Sequence, residues 1–395
     1  MPTHASMKVA TTRGRNTSGE VLSRQALNRA TLSRQGLLSR WTMSVPEAIE
    51  RLIGLQSQLP DPPYIGLWTR LVDFRCETLT QELYARRVVR STLMRYTLHL
   101  VTARDLLWLR PALQPVLSRA QRGFFGHYTA GMDLAELVAV GRALFEERPL
   151  TPVELREQLR ERWPDRDARA LAFSVRYLLP LVHMPPGGTW GQNGSFPYTL
   201  PESWLGRPLD SDPPLARLVL RYLAAFGPAT VMDMQQWSGL TRLLAVVEEL
   251  RPQLRTFRSE AGKELFDLPD APRPDPNTPA PPRFLPAYDN LMVAYVDRTR
   301  LMTDEHRHVL AGMGAGPGEI PATILVDGFV HGTWQIERQS GHATLVIESF
   351  EPLSDQAQNA LREEGERLLC AFADGAKTVE IQWRSEGSGP FGSSA

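Results

Sequence analysis

The sequence predicts an α+β protein in which about three tandem winged-helix motifs precede a small, barrel-like C-terminal β-domain. Three observations lead there. A helix, a helix–turn–helix and a hairpin recur in that order three times within the first 270 residues. Residues 267–284, DLPDAPRPDPNTPAPPRF, then carry seven prolines, which neither a helix nor a central strand accepts. Beyond them FLPAYDNLMVAYV, ATILVDGFVHGTWQIERQ and HATLVIESFEPL alternate apolar and polar residues with the two-residue period of strands.

In the first unit a helix over residues 27–38 precedes SVPEAIERLIGLQSQ, where Ser44 is the N-cap and Glu47, three residues on, completes a capping box. PYIGLWTRL follows, and VVRSTLMRYTLHLV reads as strands. In the second unit DLAELVAVGRALFEE leads into LTPVELREQLRERW, started by Thr151, Pro152 and Glu154. DARALAFSVRYLLPLV is its next helix and MPPGGTWGQNG a turn-rich ribbon. In the third, PLARLVLRYLAAFG ends at Gly227, PATVMDMQQWSGL and TRLLAVVEELRPQL supply two helices, and RTFRSEAGKELFDL is a hairpin with Gly262 in its turn. The boundaries drawn are a flexible basic arm (1–20), the three units (21–103, 104–208, 209–268), a proline-rich linker (269–283), the β-domain (284–384) and a flexible tail (385–395). An amphipathic helix, DQAQNALREEGERLLCAFA, covers or closes the β-domain before a last strand near TVEIQWR.

Composition narrows the function. Lys+Arg and Asp+Glu balance at 44 each, yet residues 1–130 hold 18 of the former and 8 of the latter, so the N-terminal region is net positive by 10. Such asymmetry is the footprint of a polyanionic partner, or else a solvated charged surface. Nearly all the positive charge is arginine, whose planar fork suits bidentate phosphate contacts; lysine occurs only at Lys8, Lys263 and Lys377. No apolar run spans a membrane, and the first twenty residues lack the apolar core of a secretory signal. Cys76 and Cys370 lie far apart in sequence and read as two unlinked thiols in a reducing cytoplasm.

Familiar catalytic spacings are missing: there is no HExxH, CxxC or GxSxG. GMGAGPGE, residues 312–319, precedes a strand and reads as a hairpin tip; GAKT at 375–378 lacks the upstream glycine of a phosphate loop. DEHRH, with His306 and His308, reads as a solvent-facing loop, and no metal or cofactor is expected. What stands out is LQSQLPDPPYIGLW, residues 55–68, where Gln56 and Gln58 end an apolar-periodic segment and prolines follow at once. On a helix, side chains two apart point about 200° apart, so the pair shares a cleft only where the helix breaks; Pro60 promotes that break. Two amides so placed either cap a helix end or orient a water.

LNRATLSRQGLL, GLQSQLPDPPYIGLWTRL, LMRYTLHLV, LPLVHMPPGGTWG, YLAAFGPATVMDMQQWSGLTRL and FLPAYDNLMVAYVDR together resemble the winged-helix DNA glycosylases of the AlkZ/YcaQ group, over most of residues 27–300. The resemblance implies tandem winged helices curled into a C-shape and followed by a β-barrel. It implies removal of bulky adducts from duplex DNA carrying alkylated purines, with some members unhooking interstrand crosslinks. The family's motif is Gln-x-Gln or Gln-x-Asp, which falls here on Gln56 and Gln58, with Ser57 polar where the family is mostly apolar. The pair is thus expected to be catalytic, with Gln58 orienting the nucleophilic water and Gln56 assisting. Arg90 and Arg95, flanking the first hairpin, are the leading phosphate contacts, and Arg70, His99 and Tyr64 the other DNA-contact candidates. For Tyr64 and Trp68 core packing competes; Trp190 reads as a turn anchor, and Asp289 and Asn290 as fixing the start of the β-domain. The resulting expectation is a monomeric, monofunctional glycosylase, cytoplasmic and nucleoid-associated. A non-catalytic winged-helix transcription regulator is the alternative; it leaves the amide pair unexplained.

Overall fold

The computed structural model describes residues 19–313, 319–339, 341–373 and 375–385. Most of the predicted basic arm, most of GMGAGPGE and most of the predicted tail lie outside them. Among the described residues no helix is long and apolar enough to cross a membrane.

The start signals read from the sequence are realised atom by atom. Ser44 and Glu47 close a capping box on the helix Val45–Arg51, Thr151 and Glu154 on Pro152–Arg162, and Thr230 and Asp233 on Val231–Ser238. Each box satisfies otherwise orphaned amides in the first turn. Helix Leu215–Phe226 ends at Gly227, and Gly262 turns the hairpin of Arg255–Ser259 with Glu264–Asp267 at φ +75°.

The hairpins do not stand apart. Val88–Thr92 and Leu98–Thr102 pair antiparallel, and both of their outer edges are occupied. Leu55–Gln56 joins one edge; Val182–His183 and then Tyr198–Thr199 join the other, making a five-stranded sheet that fuses the first unit to the second. The third hairpin gains Val21–Leu22 as a parallel strand. The proline-rich stretch is anchored from helix Arg24–Arg34: Arg29 Nε donates to the Thr278 carbonyl at 2.7 Å, and Arg34 reaches the Pro272 carbonyl while pairing with buried Asp267.

The β-domain corrects the expected barrel. Among the described residues five strands run in the order Thr378–Ser385, His342–Ser349, Phe329–Gln339, Thr323–Val326, Arg283–Leu285, with two free edges and no closure. The first two of these are parallel, so the chain must cross over between them, and helix Asp355–Phe372 makes that crossing. Its Leu361, Leu368 and Leu369 are buried in a core shared with Leu345 and Ile347 of the sheet and with Trp68 and Leu71 of the first unit. A helix on one face thus does what closure would have done. Only Arg283–Leu285 of the long run after residue 283 is strand; Asn290–Val293 is a 3₁₀ turn.

Arg70 ties the two halves together. Its guanidinium meets Asp289 through two parallel bonds of 2.8 and 2.9 Å, and both side chains are about 1% exposed. A charge buried this far is costly once its partner is removed. Arg70→Met is therefore expected to destabilise the chain by about 3–5 kcal/mol, read from urea or thermal unfolding, by stranding Asp289.

Candidate active site

The glutamine corner is built on strand geometry. Helix Val45–Arg51 ends, and the chain reverses through Ile53 and Gly54 at φ 56° and 95°. A Cβ on Gly54 would lie 2.7 Å from Val101 Cγ1 and 2.9 Å from the Leu100 carbonyl oxygen, so only glycine fits. Asn290 Nδ2 donates to the Gly54 carbonyl at 2.7 Å, which fixes the turn from the other half of the chain. Leu55–Gln56 then runs extended, opposite Leu100 and His99. This corrects the expectation of a breaking helix: in an extended segment residues two apart share a face, and Gln56 and Gln58 line one cavity.

The Ser57 amide makes a last ladder bond to the Leu98 carbonyl at 2.7 Å, and Arg90 takes over from there. Its Nε and Nη2 donate to the Ser57 carbonyl at 3.0 and 2.8 Å, and Nη2 also to the Gln58 carbonyl at 3.1 Å. Gly188 allows backbone to lie against it, since a Cβ there would meet Arg90 Cδ at 2.9 Å. Burial pushes the Arg90 guanidinium down to about 10, so it stays charged at neutral pH. Arg90 therefore holds the corner, and in this structure its buried guanidinium is engaged by backbone carbonyls rather than turned to solvent.

The cavity measures about 940 Å³. The first unit contributes Gln56, Gln58, Arg95 and Tyr96; residues 288–321 contribute Tyr288, Arg298, Arg307 and Glu319, with Met292 and Leu310 among its apolar lining. Gln56 is 7% exposed, and its Oε1 accepts from Arg95 Nη2 at 2.9 Å. Arg95 Nη1 also donates to the Trp237 carbonyl, and burial brings this guanidinium down to about 10. Gln58 is exposed, with only a long 3.5 Å contact from the Leu98 amide to its Oε1, so its amide is available to a ligand. Half-buried Arg298 makes no side-chain hydrogen bond or ion pair among the described residues. Burial, and Arg307 beside it, lower its pKa.

Three other DNA-contact candidates are turned away from solvent. Arg70 is spent on Asp289. Tyr64 is fully buried, hydrogen-bonded to the Thr80 hydroxyl at 2.9 Å and edge-on to Trp190 at 5.6 Å; burial raises its pKa to about 12. His99 is fully buried with Nδ1 3.0 Å from the Thr97 carbonyl oxygen; burial and then Arg95 push its pKa down to about 3. None of the three can touch a phosphate in this structure. Of the predicted constellation the cavity gathers Gln56, Gln58 and Arg95.

The reading of the sequence missed Tyr96, Arg298 and Arg307. Arg307 lies in DEHRH, which is no loop but opens helix Asp304–Met313. His306 there is buried between the Val330 carbonyl and the Glu351 carboxylate, and no group of three or more metal-ligating side chains exists among the described residues. Asp304 and Glu305 in the first turn were the available signal, since acids favour helix N-termini.

A sequence profile of the family described as DNA glycosylase AlkZ-like matches residues 49–370. The chain belongs to the AlkZ-like DNA glycosylases. Among relatives, the interstrand DNA cross-link repair glycosylase of Streptomyces sahachiroi is 22% identical over 385 residues, covering 89% of this chain and 96% of that protein. The solved structure of the Streptomyces sahachiroi DNA glycosylase AlkZ superposes with a TM-score of 0.74 at 20% identity, over 92% of this chain and 100% of that one. The mixed α+β fold is thus that of AlkZ, and the chain is an enzyme of the glycosylase type.

Burial of neutral imidazoles sets a pH response. His99, held down to about 3, and His183, pushed well below its ordinary value by burial, stay unprotonated in the fold while the unfolded chain takes up protons below about 6.5. Both contributions are complete above that pH and decline as pH falls, that of His99 being lost towards 3. His99→Gln is expected to flatten the fall in unfolding free energy between pH 6 and 4 by about 1.4 kcal/mol per pH unit, measured by urea titration.

Proposed function

We propose that this AlkZ-like enzyme hydrolyses the N-glycosidic bond of bulky N7-alkylated purines in duplex DNA. It acts as a monomeric, monofunctional glycosylase in repair of, or self-resistance to, a genotoxin. Interstrand crosslinks fall within its range, as the name of the S. sahachiroi relative states for that protein. The observation that carries the reading is the placement of Gln56 and Gln58 on one face of a clamped corner, in a cavity that also holds Arg95, Arg298 and Arg307.

N7 alkylation makes the purine cationic, so the departing base keeps the C1′–N9 electron pair and leaves as a neutral N7-alkylpurine. A water oxygen bonds to C1′, and its proton passes to solvent. Such a leaving group needs little acid help. What the protein must supply is a water held in line and tolerance of an oxocarbenium-like sugar. Gln58, loosely engaged, orients that water. Gln56, pinned by Arg95, fixes the geometry beside it. Arg298 and Arg307 take phosphates of the lesion strand. No lysine lines the cavity among the described residues, and Lys263 pairs with Asp297 at 3.4 Å, which supports hydrolysis without a Schiff base.

The test is incubation with an N7-alkylguanine duplex followed by mild alkaline heating. Wild-type protein is expected to yield scission at the lesion, and Gln58→Ala to slow it on the order of 10²-fold. Full excision by Gln58→Ala would remove the assignment. Borohydride added during turnover is expected to trap no protein–DNA adduct. Arg298→Ala is expected to weaken DNA binding and to make the slope of log K against log salt shallower by about 0.9 for each phosphate that is no longer neutralised.

A further inference from the structure

The tip of the first hairpin carries an uncommon backbone conformation. Arg95 and Tyr96, neither of them glycine, stand consecutively at φ 52° and 53°, in the left-handed region. Two adjacent L-residues hold that conformation only where the surroundings impose it. Here the Leu93 amide donates to the Thr97 carbonyl at 3.0 Å, Tyr96 to Leu93 at 3.1 Å and Thr97 to Met94 at 3.1 Å. Arg95 anchors the tip from below, through Gln56 and the Trp237 carbonyl.

The product of that strain is an aromatic ring raised into solvent. Tyr96 is 43% exposed, while Leu93 and Met94 behind it are fully buried. It rests edge-on, at 5.3 Å, against Phe124, which is itself 49% exposed. Tyr96 lines the cavity of Gln56 and Gln58 and also a second cavity of about 580 Å³ that contains Phe124 and Arg119, so with Arg95 it stands between them. A rigid, upright aromatic beside a glycosyl-cleaving pair has the form of a wedge for a base step. Minor-groove proteins insert apolar side chains between base pairs in this way, and an aromatic ring gains by stacking on a base.

We infer that Tyr96 enters the duplex from the minor groove beside the lesion and unstacks the adjoining base step, presenting C1′ of the damaged nucleotide to Gln58. Phe124 braces the ring from behind. The inference rests on the glycosylase reading, but its readout is separate from excision.

A duplex carrying 2-aminopurine next to a 2′-fluorinated, excision-resistant N7-methylguanine reports unstacking by fluorescence. Wild-type protein and Tyr96→Phe are expected to raise the signal several-fold, and Tyr96→Ala and Tyr96→Gly to abolish the rise while still binding the duplex. Glycine prefers positive φ, so Tyr96→Gly is expected to be at least as thermally stable as the wild type. On the cleavable duplex both small variants are expected to lose at least tenfold in single-turnover excision, with Tyr96→Phe within threefold. No rise with the wild type, a rise that persists in Tyr96→Gly, or its loss in Tyr96→Phe would each overturn the wedge. Absence of excision by the wild type would instead bear on the glycosylase reading alone.

Discussion

Everything at the candidate site depends on one buried guanidinium. Where the strand Leu55–Gln56 stops pairing, the carbonyls of Ser57 and Gln58 would be left without partners inside the protein, and orphaned buried carbonyls are not tolerated. Arg90 reaches across from the next hairpin strand but one and satisfies both with three bonds. The neighbouring His183 is neutral, so it adds no charge to repel the guanidinium. The corner is thereby a fixed object rather than a loop. An amide on it points where the clamp puts it, which is the condition for a weak catalytic group to be useful at all.

The arginines of the N-terminal region divide into two kinds that charge counting cannot separate. Arg29, Arg34, Arg70 and Arg90 are buried and act as struts, reaching Asp327, Asp267, Asp289 and the Ser57 carbonyl respectively. Three of these contacts join residues more than two hundred positions apart, so they stitch the first unit to the C-terminal half. The positive charge facing the cavity comes from Arg95 together with Arg298 and Arg307, the latter two from the net-acidic part of the sequence. A regional excess of 10 positive charges suggested a polyanion, yet many of the arginines behind it are spent on internal contacts. Local potential is set by what folding brings together, not by windows of sequence.

Local signals were legible and tertiary ones were not. Ser44 with Glu47 and Thr151 with Glu154 announce helix starts because the capping chemistry lies within four residues, and the structure keeps both. Gln56 and Gln58 were legible as residues but not as geometry. The apolar period up to Leu55 is that of a helix, and nothing nearby shows that Leu100 waits to pair with Leu55 as a strand. The same limit explains Tyr64 and His99, whose polar tips look available in sequence but are sealed by Trp190 and by the sheet. The barrel failed for a related reason. Alternation identifies strands; it does not say whether the first and last of them meet, and here a parallel pair and its crossover helix keep them apart.

The division of labour between the two glutamines follows from Arg95. A carboxylate at position 56 would be drawn into an ion pair with that guanidinium, which holds a carboxyl in its ionised form and spends it as a structural contact. An amide accepts the same hydrogen bond without adding charge, so the Trp237–Arg95 anchor holds Gln56 rigidly at the cavity wall. Gln58 has no such obligation beyond a long contact with the Leu98 amide. With Arg298 and Arg307 nearby, the cavity is hostile to a cationic purine until phosphates enter and neutralise it. Binding of the backbone and acceptance of the charged base are therefore coupled. An alkylated purine offered without its flanking phosphates meets repulsion, and the same purine within a duplex meets a balanced field. On the proposed reading, the arginines would select for DNA, and the neutral amides would leave the lability of the lesion itself to decide which base departs.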